Sequence, residues 1–163
     1  MHEILIGSFG SFLASLGFGV LFNIKQKRKL FLAGLNGAMG GFVYECCRAM
    51  LLTDLEANFW AAVSFTVIAE VLARKMKTPV TSFIVCALIP LVPGGTMYDM
   101  MIEIITNDPY EALVLFLETL TIAGVLALGI LLVETITALG TAGWRKWKRC
   151  RTISASREGR DRR

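Results

Sequence analysis

Five apolar runs, at residues 4–22, 30–52, 59–72, 80–105 and 112–139, decide the solvent in which this chain folds. A bilayer core about 30 Å thick takes roughly 20 helical residues at about 1.5 Å each, and every run reaches that length once its polar-flanked ends are added. Composition agrees: 55% of the 163 residues are hydrophobic and 18% are charged, with a mean hydropathy of +0.59. A soluble domain averages about 25% charged residues and could not cover so much apolar surface. In lipid every backbone polar group needs an internal partner, so the runs read as helices and the chain as an all-α integral membrane protein with five transmembrane helices. The first run is read as a retained span and not a secretory leader, because Lys25, Lys27, Arg28 and Lys29 follow it and no Lys or Arg precedes it.

Charge placement gives an orientation. Lys25 to Lys29, then Arg74, Lys75 and Lys77, then the cluster from Arg145 onward follow spans one, three and five, whereas the loops at 53–58 and 106–110 hold no Lys or Arg. Positive charge beside span ends stays cytoplasmic, so the expected topology has the N-terminus outside and the C-terminus inside, with Arg48 as the one basic residue left over. Residues 1–143 are expected to form the membrane domain and 144–163 a basic cytoplasmic tail, solvated and disordered near anionic headgroups. A capping box from Thr53 to Glu56, Pro79 in a first helical turn and "DPYE" at 108–111 mark helix starts.

Several classes fall away. The net charge of +4 sits in membrane-flanking clusters without an aromatic-interleaved face, which argues against nucleic acid. His2 is the single histidine and the cysteines show no paired spacing, so no metal site and no cofactor is expected. Neither a nucleophile with its base nor a HExxH motif is present, which disfavours an intramembrane enzyme.

Gly7, Ser11, Ser15 and Gly19 repeat every fourth residue in span one, and Gly34, Gly37 and Gly41 extend the theme in span two. Such stripes let helix backbones approach closely, and they are expected to offer surface to a partner. Ionisable groups inside spans cost about 2.5 to 3.5 kcal/mol each on insertion scales and therefore face a cavity, a partner or one another. Glu70 precedes Arg74 by four residues and suits an interfacial pair, and Glu134 suits snorkelling or pairing. Glu45, Asp99, Glu103 and Glu118 lie in the outer half with Arg48 as their only intramembrane cation. Two readings stay open: Arg48 bridges Glu45 structurally, or Arg48 meets a substrate carboxylate while one of the four acids couples a proton. Glu45 and Glu103 are expected to face the cavity.

The fourth run contains "IPLVPGGTMYDMM", with Pro90, Pro93, Gly94 and Gly95 near its middle. Each proline removes a backbone donor, and the two glycines are expected to use backbone angles closed to other residues. A break in lipid must face protein or a water-filled cavity, and the half-helix restarting near Thr96 aims its first amides there, ready for an anion.

That stretch, after a glycine-rich second span and before a long fifth one, resembles the smaller, carboxy-terminal-type half of the threonine/serine exporter family across residues 5 to 140. The resemblance implies export of hydroxy amino acids or of small dicarboxylates such as succinate, from a bacterial inner membrane, together with a larger subunit of five further spans. Pro90, Pro93, Gly94, Gly95 and Tyr98 match the motif; Asp99 and the basic tail lie outside it. The expected substrate-binding set is thus Pro90, Pro93, Gly94, Gly95, Thr96, Tyr98 and Arg48, and the proton-coupling set Glu45, Asp99, Glu103 and Glu118. The expected partners are the larger subunit, the lipid bilayer and a small carboxylate, with association of further copies left open. A non-transporting membrane scaffold or assembly subunit is the alternative.

Overall fold

The computed structural model describes residues 2–106 and 109–160, with side chains placed within 4–140. Every element among them is helical: α1 (His2–Leu21), α2 (Lys27–Ala49), α3 (Asp54–Met76), α4 (Val80–Leu88), a 3₁₀ turn (Ile89–Leu91), α5 (Gly94–Thr106) and α6 (Pro109–Arg160). Four helices are long and apolar enough to cross a membrane, and the count becomes five when α4 and α5, bent by 49° at their break, are taken as one span. Large apolar side chains such as Leu5, Phe9, Trp60, Val67, Val71 and Leu128 lie exposed on the outside of the bundle, the arrangement a lipid solvent favours.

The centre is α3. It presents Ala57, Ala61, Ala62, Ala69 and Ala73 at helical spacing around Phe65, all buried, so α2, α4 and α6 can each approach its backbone. Gly129 of α6 lies so near that a Cβ there would sit 2.8 Å from the Ala62 methyl. The capping box at the start of α3 forms as expected, with the Glu56 amide donating to Thr53 Oγ1 and the Thr53 amide to Glu56 Oε2. At its other end Arg74 and Glu70 pair at 3.0 Å, and the Thr137 hydroxyl donates to the second Glu70 oxygen.

Four expectations change. The small-residue stripes meet each other within the chain: Ser11 packs onto Gly41 and Ser15 onto Gly37, leaving little of either stripe for a partner. Pro79 is the N-cap of α4, one residue before its first turn. Gly94 and Gly95 have ordinary negative φ, because they open a right-handed helix, so the break needs no left-handed residue. The basic segment expected to be disordered continues α6 through Arg160 without interruption; it holds a single Gly and no Pro, and its Lys, Arg and Ala are good helix formers. Asp108 of the expected "DPYE" start lies outside the described residues.

Candidate functional site: a cavity beneath the broken helix

Around the break the backbone runs out of regular partners. Pro90 sits in the 3₁₀ turn, Val92 is extended, and Pro93 precedes the first residue of α5. The Gly94 amide turns back to the Val92 carbonyl at 2.7 Å, and the Met97 amide reaches the Pro93 carbonyl. By helix geometry this leaves the amides of Gly95 and Thr96 as the unspent donors of the first turn, carrying the partial positive charge of the helix start. Neither Gly94 nor Gly95 has any atom within 4 Å of where a Cβ would stand, so the space beside the two glycines is open. The Thr96 hydroxyl donates to the Pro93 carbonyl and lies 3.1 Å from the Thr119 hydroxyl of α6, which pins the restart to the last helix.

That open space is a cavity of about 330 Å³ to which all five spans contribute. The break supplies Pro90 through Thr96, α1 supplies Ser11, and α2 supplies Gly41, Tyr44, Glu45 and Arg48. Asp54 and Asn58 come from the start of α3, Glu118 and Ile122 from α6. The charged set is therefore one guanidinium and three carboxylates, gathered against a helix start.

Arg48 is held from two sides. Its Nε lies 3.3 Å from Asp54 Oδ1, and its guanidinium stands 6.0 Å from the Tyr44 ring centre with Nη1 donating weakly to the Tyr44 hydroxyl. A guanidinium on an aromatic face keeps its direction while its edge remains free for an acid. Glu45 points the other way, against α1: a Cβ at Gly7 would come within 2.9 Å of Glu45 Oε1, so the glycine makes room for the carboxylate. The Arg48–Glu45 bridge entertained from sequence is replaced by Arg48–Asp54, because the short α2–α3 turn folds Asp54 back over the end of α2.

Of the expected site residues, Pro90, Pro93, Gly94, Gly95, Thr96, Arg48, Glu45 and Glu118 come together on the cavity. Tyr98, Asp99 and Glu103 do not line it. They lie further along α5, which the bend carries away from the bundle until it packs on α6 and leaves no residue buried. Tyr98 is 64% exposed, and the Glu103 carboxylate accepts from the Thr106 hydroxyl. Sequence reasoning missed Tyr44, Asp54, Asn58 and the lining role of Ser11. Tyr44 was within reach, one helical turn before Arg48, where side chains stack; Asp54 and Asn58 depend on how the turn folds.

The sequence matches the family described as "Threonine/Serine exporter, ThrE" over residues 7–136, which contains every lining residue of the cavity. It matches no curated protein and no solved structure. With four-fifths of its length matched and a cavity at its broken span, the chain belongs to the threonine/serine exporter family, a family of transporters.

Proposed function

We propose that the chain is the smaller subunit of a secondary exporter in a bacterial inner membrane and that its cargo is a small zwitterionic hydroxy amino acid. The observation that carries this reading is the charge set of the cavity: Arg48 and the first amides of α5 on one side, Glu45, Asp54 and Glu118 on the other. The cargo carboxylate sits between the Arg48 guanidinium and the Gly95 and Thr96 amides, and the ammonium faces Glu118 and Glu45. A dicarboxylate such as succinate would set two negative charges against three for a single guanidinium, whereas a zwitterion offers one charge to each set. Glu45 and Glu118 are the acids placed to couple a proton to transport; Asp99 and Glu103 are not on the cavity. A larger companion of five further spans fits α5, whose Tyr98 and Asp99 are exposed on a span where lipid is a poor solvent for either. The expected topology puts the cavity in the outer half of the membrane.

Counterflow of labelled L-threonine into proteoliposomes holding the chain with its companion tests the reading. Arg48→Gln should lower the rate at least about tenfold, the loss expected when a hydrogen bond to a charged group goes, with Arg48→Lys between the two. Faster counterflow of succinate than of threonine would overturn the amino-acid assignment. No counterflow of either would favour the scaffold.

A further inference from the structure

A second cavity, of about 610 Å³, adjoins the first at the end of the bundle formed by the α2–α3 turn. Leu51 through Leu55 line it together with Thr121, and four residues are common to both cavities: Arg48, Asp54, Glu118 and Ile122. The Arg48–Asp54 ion pair thus borders both.

We propose that this ion pair is the partition between two successive cargo compartments, and that cargo passes by exchanging places with Asp54 on the Arg48 guanidinium. The proposal rests on the transport reading above and adds a path and a counter-charge to it. The exchange is balanced at each partner. A single Nε to Oδ1 contact at 3.3 Å between side chains that are 54% and 47% exposed is a weak pair, and a carboxylate arriving on the free edge of Arg48 replaces it in kind. The guanidinium is at no stage left without an acid. Asp54, once released, remains in the first turn of α3, where the helix start favours a carboxylate. Tyr44 holds Arg48 in place during the exchange through its ring and hydroxyl. Glu118 lines both compartments as Arg48 does, so the ammonium of a zwitterion keeps its acid while the carboxylate keeps its guanidinium.

Thiol labelling tests the partition apart from transport. In the full chain with Cys46, Cys47, Cys86 and Cys150 replaced by Ala, Ser11→Cys reports on the first cavity and Thr121→Cys on the second. A membrane-impermeant maleimide is added to sealed vesicles on the side of the α2–α3 turn. Asp54→Asn should speed labelling at position 11 about fivefold, as loss of a half-exposed pair would, and leave the rate at position 121 unchanged, which also reports an intact fold. Exchanging the two residues, as Arg48→Asp with Asp54→Arg, should restore protection at position 11 while abolishing transport. An unchanged rate at position 11 in Asp54→Asn, or no restored protection in the exchanged pair, overturns the partition. Added L-threonine should speed labelling at position 11 in the otherwise unaltered protein. If it does not while Asp54→Asn does, the cargo assignment falls and the partition stands.

Discussion

At the scale of single residues, the closest tolerances in the molecule are where a side chain is missing. A Cβ on Gly37 would fall onto Ser15, and one on Gly41 onto Ser11, whereas Gly10 and Gly17 of the same helix pair have nothing within 4 Å. Gly37→Ala should therefore lower the thermal unfolding midpoint in detergent, with a cost on the order of 1–3 kcal/mol from forced overpacking. Gly17→Ala should be neutral or stabilising by up to about 1 kcal/mol, since it only removes glycine's backbone freedom. Adding Ser15→Gly to Gly37→Ala should recover most of the loss; if it does not, the stripes are not held by this contact. The existence of the stripes was legible because a four-residue repeat lies on one helix face whatever surrounds it. Their partner was not, because spacing says nothing of which surface a stripe meets, and here each meets the other. The same limit explains Arg48. Its isolation among acids marked it, but choosing between Glu45 and Asp54 requires the course of the α2–α3 turn, where Leu51 adopts a positive φ that no residue pattern announces.

At the scale of elements, the break between α4 and α5 sets where the cavity lies. The sequence announced it through Pro90 and Pro93, and the span boundaries through apolar length, because both follow from local chemistry. The direction in which α5 leaves was not legible. A bend of 49° can point a half-helix along several directions, and packing on α6 selects one, which is why Tyr98, Asp99 and Glu103 miss the cavity although they share the fourth run with the break. The glycines act differently from the expectation: they contribute absent side chains over the cavity and no unusual backbone angle. If the prolines cause the bend, Pro90→Ala with Pro93→Ala should straighten the pair. Spin labels at positions 81 and 106 would then move apart by about 3 Å for rods rising 1.5 Å per residue. An unchanged distance would show that contacts with α6, and not the prolines, hold the angle.

At the scale of the whole molecule, five spans place one guanidinium, three carboxylates and a helix start around a single cavity, and the α3 alanine face is what lets them converge. The family membership makes the chain a member of a transporter family; the charge set is what points to a zwitterion as cargo. Equilibrium binding to the purified chain tests that claim most directly, without requiring the companion subunit or a coupling ion. Labelled L-threonine should bind the unaltered protein in nanodiscs, be displaced only poorly by succinate, and bind Arg48→Gln at least about tenfold more weakly, while Glu103→Gln, away from the cavity, binds as the unaltered protein does. Equal binding by the unaltered protein and Arg48→Gln would contradict the account.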